Sequence, residues 1–349
     1  MKIVNVNASR NYNILIESNI IDSCGRLIRE ITKAKNAVII TDDTVNALYA
    51  DRVERSLSTV GFSVFKYVIP HGEDSKSAEN FISILNFLAS NKISRSDIIV
   101  ALGGGVVGDL SGFVASAYLR GIEFVQIPTT LLAMVDSSVG GKTAINLDAG
   151  KNLAGAFYQP SLVICDPEAL KTLPPDIFAD GCAEVIKYGI INDPKLFDRL
   201  CDGIDDGIDG IIENCVKNKR DIVNIDEHDT GVRQLLNLGH TIGHTIEQNS
   251  GFNISHGSAV AMGIHYVSKI SNRLGYLSDG ELQRIKDILT LYSLPTKCPY
   301  TPNEIYAVAV SDKKIASGKI NLVLPYSIGD TRLYPIDIED LPEILEMGV

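Results

Sequence analysis

Short apolar runs alternate with amphipathic stretches through the first half of the chain, and this alternation restricts the fold more than any other feature. Residues 37–41 (AVIIT), 63–69 (SVFKYVI), 97–102 (DIIVAL) and 124–127 (FVQI) have the length and branched-residue content of buried strands. Between them, residues 45–59 and 78–90 space their apolar side chains at helical intervals. Parallel strands need crossover connections, and the helices that supply them cover both faces of the sheet. The pattern predicts an α/β N-terminal domain with a Rossmann-like parallel sheet over residues 1–173. Sheets of this kind take ligands at the carboxyl ends of their strands.

From residue 174 the runs lengthen and become helical, over 179–191, 211–225, 234–248 and 258–274. Residues 174–349 therefore read as a mainly α-helical domain, with Pro174 and Pro175 as the hinge. The acidic, glycine-rich stretch 202–210 (DGIDDGIDG) lacks the ligand spacing of an EF-hand and reads as a solvated loop.

Charge and composition exclude some classes of function. A net charge of −11 argues against non-specific binding to nucleic acid or to an anionic membrane. It leaves room for a small anionic substrate, because basic side chains can converge locally. No run approaches the ~18 apolar residues of a membrane span. The opening MKIVNVNASR has no signal-peptide pattern. Six scattered cysteines without a CxxC pair read as reduced, mostly buried thiols of a cytoplasmic protein. Cys182 among them reads as packing.

Residues 103–109 (GGGVVGD) directly follow the strand 97–102, with a helix expected over 110–118. Glycines there let the backbone approach a pyrophosphate, and a helix N-terminus favours its charge. The same letters also fit a plain tight turn, and the loop follows a late strand rather than the first. Other strand ends add polar groups. Asp42 and Asp43 can accept ribose hydroxyls, 71–76 (HGEDSK) looks like a ligand loop, and Thr129 and Thr130 offer hydroxyls or a helix cap. Residues 136–142 (DSSVGGK), with Lys151 and Asn152 beyond, combine glycines and lysines in a way that suits a phosphate or carboxylate.

Of six histidines, His240, His244 and His256 lie within seventeen residues. The segment LLNLGHTIGHTIE sets His240 and His244 on one helical face. Two or three imidazoles plus a carboxylate make a typical Zn²⁺ set. Spacing alone does not say which histidines ligate, nor whether the carboxylate is Glu247 or Glu184.

The strings PTTLLAMVDSSVGGKTAIN, FYQP, LKTLPP, GCAEVIKYGII, GVRQLLNLGHTIGH and SDKK, between residues 42 and 330, together resemble the 3-dehydroquinate synthase family. More distant relatives are other sugar-phosphate cyclases and the metal-dependent polyol and alcohol dehydrogenases. The resemblance implies that Glu184, His240 and His256 bind one divalent ion, Zn²⁺ or Co²⁺. It implies NAD⁺ held by Asp43, by Gly72, Glu73, Asp74, Ser75 and Lys76, and by Gly105, Val106, Val107, Gly108 and Asp109. Thr129, Thr130, Lys142, Lys151, Ala169, Leu170, Lys171 and Thr172 complete that cofactor set. Asp136, Lys142, Asn152, Lys187, Lys219, Arg233 and Asn237 would line the substrate pocket. His244 would contact substrate or relay protons, and Arg120 and Lys314 would meet the phosphate end. The family commonly has Glu where this chain has Ser258, which bears on how the neighbouring histidine is oriented.

The reaction so implied turns 3-deoxy-D-arabino-heptulosonate 7-phosphate (DAHP) into 3-dehydroquinate and phosphate, a lyase step of the shikimate pathway. Oxidising a secondary alcohol acidifies the neighbouring C–H, phosphate leaves, the hydride returns, and an intramolecular aldol step closes the ring. His244 and Lys142 are the first choices for moving protons, and the two halves would close around the substrate. A homodimer follows by resemblance, with Arg120 reaching a neighbour's site. Competing readings are another sugar-phosphate cyclase, a polyol dehydrogenase that accumulates NADH, and a non-catalytic descendant.

Overall fold

Four consecutive parallel strands end along one edge, and that edge organises the first half of the chain. The structure is a computed structural model that describes residues 1–204, 207–310 and 318–349. Its described residues form two compact units, one of Met1–Leu173 with Ile208–Glu227, the other of Pro174–Gly207 with His228–Val349.

In the first unit the strands are β1 (Lys2–Asn7), β2 (Asn11–Ile16), β3 (Asn36–Asp42), β4 (Ser63–Ile69), β5 (Ile98–Gly103), β6 (Glu123–Pro128), β7 (Lys142–Leu147), β8 (Gly150–Phe157) and β9 (Leu162–Cys165). Seven of them form one sheet in the order β1-β2-β9-β6-β5-β3-β4. Only the β1–β2 pair is antiparallel. β5 and β9 are buried at every position, as a parallel strand covered on both faces must be. The chain runs from β3 out to the edge strand β4, then crosses back to β5 on the other side of β3. The strand order therefore reverses between β3 and β5, where a crevice opens beyond the strand ends.

The helix after β5 spans Gly105–Ala117, five residues earlier than the sequence pattern suggests, so the glycine motif forms its first turns. Val107, Leu110 and Val114 of this helix pack with Val38, Ile40, Ile99 and Phe124 of the sheet. A Cβ on Gly108 would come within 2.7 Å of the Gln126 side chain, and one on Gly112 within 2.4 Å of Thr143. Gly108 thus serves helix-to-strand packing. The glycine- and lysine-containing stretch 142–157, for which the sequence suggested no strand, is the antiparallel hairpin β7–β8.

The second unit is mainly helical, with a β-hairpin of β10 (Lys319–Ser327) and β11 (Asp330–Asp337). Two expectations need correction. The single helix expected over 234–248 is a 3₁₀ turn, Val232–Asn237, followed by a helix, His240–Asn249. Gly239 separates them with φ 77°, a conformation that glycine adopts without steric cost. The helix Ile208–Ile225, expected in the helical domain, belongs to the first unit, where Lys219 bonds Asp136 at 2.7 and 2.8 Å. The acidic stretch 202–210 runs into that helix at Ile208, and its residues 205–206 lie outside the described residues. Among the described residues no helix is long and apolar enough to cross a membrane.

Candidate metal centre and nucleotide edge

The strand register brings the expected cofactor groups of the first unit into one row. Asp42 of β3 pairs with Ile69 of β4, Thr41 with Leu102 of β5, and Gly103 with Pro128 of β6. Asp43, residues 72–76, the turn at Gly104–Gly105 and Thr129 therefore follow adjacent strand ends. No side chain caps the helix that starts at Gly105, which leaves its first N–H groups facing the crevice side. The Thr129 backbone N–H donates to Gly103 O at 3.0 Å, while its hydroxyl is buried without a hydrogen-bond partner. An orphaned hydroxyl beside an uncapped glycine helix start suits a ligand that carries phosphate and hydroxyl groups, as NAD⁺ does. Thr130 has the capping role: Ala133 N–H donates to its Oγ1 at 3.2 Å.

Lys76 ties this edge to the hairpin. It is 5% exposed and donates to Asp109 Oδ2 and Asn152 Oδ1, both at 2.5 Å. Asn152 has φ 56°, and its backbone N–H donates to Asn146 Oδ1 at 2.9 Å. The sequence reading missed Asn146, which also donates to Glu73 at 2.8 Å. His71 holds Asp43 by Nδ1 at 2.8 Å. Ala169–Thr172 lie in the 3₁₀ turn Pro167–Thr172, held by the Tyr49 hydroxyl at 3.3 Å from Ala169 O and 2.7 Å from Thr172 Oγ1. Lys142 begins β7 and is exposed, and Lys151 is half-buried in β8.

Arg120 is not brought to this edge. It sits exposed in the turn after the helix Gly105–Ala117, roughly 20 Å from that helix's start at 1.5 Å per residue. Lys314 lies outside the described residues.

In the second unit Glu184 projects from the helix Pro175–Ile191, His240 opens the helix His240–Asn249, and His256 opens the helix His256–Arg273. Their ligand atoms all lie within 4.8 Å of one another. Glu184 Oε1 is 3.3 Å from His240 Nε2 and 3.2 Å from His256 Nε2. Each imidazole is aimed by its other nitrogen: His240 Nδ1 lies 3.1 Å from Leu238 O, and His256 Nδ1 lies 3.4 Å from Glu247 Oε2. This is the outer hydrogen bonding that fixes ligating histidines. Of the two carboxylates the sequence left open, Glu184 faces both Nε2 atoms and Glu247 stands behind one ring.

Glycines make this convergence possible. A Cβ on Gly257 would lie 2.2 Å from Asp180 O, and one on Gly263 would lie 2.0 Å from Gly239 O. Three helices therefore touch backbone to backbone around the triad. Asp180, another residue the sequence reading missed, accepts Ser258 N–H at 3.1 Å and the Ser255 hydroxyl at 2.5 Å. A carboxylate at a helix N-terminus stabilises it. Ser258 thus meets Asp180 through its backbone, and Glu247 supplies the carboxylate behind His256.

The electrostatics suit a cation. Burial works against the charge of Glu184, but Lys187, which forms an ion pair with it, and His240 outweigh burial and hold the carboxyl well below its usual range. Burial pushes His240 down, toward the neutral imidazole that a metal needs. Burial also opposes charging His256, but hydrogen bonds to Glu184 and Glu247 raise it to about 10. A proton held between two carboxylates fills the electrostatic place of a bound cation. Burial alone pushes the Cys182 thiol up to about 12, as expected of a packing residue. His244 lies near, its ring 5.5 Å from His240 and 6.3 Å from His256. Lys187 and Arg233 are each 1% exposed, and Asn237 ends the turn before Gly239.

A sheet unit with a ligand edge and a helical unit with an imidazole–carboxylate triad define an α/β enzyme of the cofactor- and metal-assisted class. The family models for 3-dehydroquinate synthase match the chain over residues 66–180 (N-terminal) and 181–315 (C-terminal). The 3-dehydroquinate synthase of Clostridium acetobutylicum is 43% identical, over 99% of this chain and 100% of that protein. That of Clostridium botulinum is 45% identical, over 95% and 96%. Among solved structures, the 2-epi-5-epi-valiolone synthase of Streptomyces hygroscopicus, with NAD⁺ and Zn²⁺ bound, has a TM-score of 0.88 at 25% identity over 99% of this chain and 98% of that one. A 2-deoxy-scyllo-inosose synthase has a TM-score of 0.85 at 24% identity over 100% of both chains. The chain belongs to the 3-dehydroquinate synthase family.

Proposed function

We propose that this enzyme converts DAHP to 3-dehydroquinate and phosphate with NAD⁺ and one divalent ion, Zn²⁺ or Co²⁺. The observation that carries the reading is the convergence of Glu184, His240 and His256, with each imidazole oriented from behind. Those three residues would hold the ion. When bound, NAD⁺ supplies a hydride acceptor restored within each turnover, and the ion supplies Lewis-acid charge.

The residues divide the remaining work. Lys187 keeps Glu184 ionised, which is the form a ligand needs. Arg233 and Lys187 are positive charges withdrawn from water, where attraction to an anionic sugar phosphate is strong. Asn237, at the end of the turn that carries Arg233, adds a neutral hydrogen-bonding group. In the first unit, Lys219 positions Asp136, and Lys76 positions Asn152 together with Asp109. The row of strand ends, with Thr129, takes the nucleotide. Lys142, Lys151 and the Ala169–Thr172 turn complete that set. His244 is the first choice for moving protons, with Lys142 second.

His244→Ala is expected to keep the ion and lose roughly 10²–10⁴-fold in kcat, the usual worth of a positioned acid–base group. Metal analysis beside steady-state rates checks this, and loss of the ion would place His244 among the ligands. Arg120 is remote from its own chain's nucleotide edge, and a homodimer in which it reaches a neighbour's site is the arrangement the family resemblance implies. The cytoplasm is the expected compartment.

Incubation with DAHP, NAD⁺ and Zn²⁺ tests the whole reading. Phosphate and dehydroquinate should appear together without NADH accumulating, and glucose 6-phosphate and sedoheptulose 7-phosphate should release no phosphate. Steady NADH production would identify a dehydrogenase instead.

A further inference from the structure

One imidazole faces two ligand groups. His256 turns Nε2 toward Glu184 at 3.2 Å and Nδ1 toward Glu247 at 3.4 Å. On the second side His244, Glu247 and His256 again bring ligand atoms that all lie within 4.8 Å of one another. His244 and Glu247 are three residues apart on the helix His240–Asn249, so they share a face. Glu247 is 3% exposed, which takes its carboxylate out of water, while His244 is exposed. Two imidazoles and a carboxylate suit Zn²⁺ or Co²⁺ and not the all-oxygen preference of Mg²⁺ or Ca²⁺.

We propose that His244, Glu247 and His256 form a second, weaker divalent-cation site whose occupation inhibits the enzyme. The proposal rests on the reading of Glu184, His240 and His256 as the first site. Two features make the second site weaker. Its occupant must replace the contact of His256 Nδ1 with Glu247 Oε2 while Nε2 serves the first ion, and the Nδ1 proton leaves to solvent. It must also bind close to that ion's positive charge. Inhibition follows from the chemistry of His244: an imidazole nitrogen whose lone pair is held by a cation can no longer accept a proton.

Equilibrium dialysis of the full-length protein against Zn²⁺, counting bound zinc per chain, tests this. The wild type should bind one tight ion and a second roughly 100-fold weaker, the scale on which losing the hydrogen bond behind a ligand weakens a metal site. Phosphate release from DAHP should fall as the second fills, and Mg²⁺ should not fill it. His244→Ala and Glu247→Gln should each stop at one ion. Saturation of the wild type at one ion, or two ions in both variants, overturns the second site and leaves the first intact. Absence of the tight ion from the wild type overturns the reading of the first site, and the proposal with it.

Discussion

His240→Ala is expected to lose the ion and turnover together. His240 is buried, which favours its neutral form, and its Nδ1 is anchored to Leu238 O, so its Nε2 is fixed toward Glu184 before any ion arrives. Alanine removes one of three protein ligands, and the preorganisation goes with it. Apparent metal affinity should fall by more than the roughly 10–100-fold typical of losing only an outer partner. Turnover at stoichiometric zinc should fall by at least as much. Dialysis followed by metal analysis, with phosphate release measured on the same samples, gives both numbers. Unchanged metal content would remove His240 from the ligand set.

Gly263→Ala tests the packing that builds the site. The added methyl would lie 2.0 Å from Gly239 O, a backbone atom, so a side-chain rotation cannot relieve the clash. Overpacking of this kind costs roughly 1–3 kcal/mol, and here the relief must come from moving the turn that precedes His240. Both the thermal midpoint and the zinc affinity should therefore fall. Gly280→Ala is the control. It lies in the helix Asp279–Leu291, where an added Cβ meets nothing within 4 Å. The same methyl there should stabilise by roughly 0.4–1 kcal/mol through the unfolded chain. If the two variants behaved alike, backbone contact around the triad would not be what assembles it.

These two variants also mark what could be read from sequence. The parallel strands were legible because their apolar runs are short and bounded by polar groups. β4 (Ser63–Ile69) and the helix Ala78–Ser90 fall where the pattern places them. The break at Gly239 was not legible, because GHTIGHTIE continues a helical spacing and only the φ of 77° shows where the helix starts anew. The hairpin β7–β8 was missed for a related reason: its glycines and lysines resemble loop composition, yet cross-strand pairing fixes it. The helix Ile208–Ile225 reads like its helical neighbours, and only long-range contacts, such as Lys219 with Asp136 and Lys2 with Asp209 and Glu213, assign it to the sheet unit. At the metal centre, histidine spacing pointed to chemistry but left the carboxylate open between Glu184 and Glu247. The choice depends on which nitrogen of His256 each carboxylate faces, a matter of three-dimensional orientation.

Anomalous diffraction at the zinc edge, from crystals grown with one equivalent of Zn²⁺, tests the central claim most directly. The account predicts one strong peak about 2.0–2.2 Å from the Glu184 carboxylate, His240 Nε2 and His256 Nε2. A strong peak elsewhere, with those three side chains bound only to one another, would contradict it.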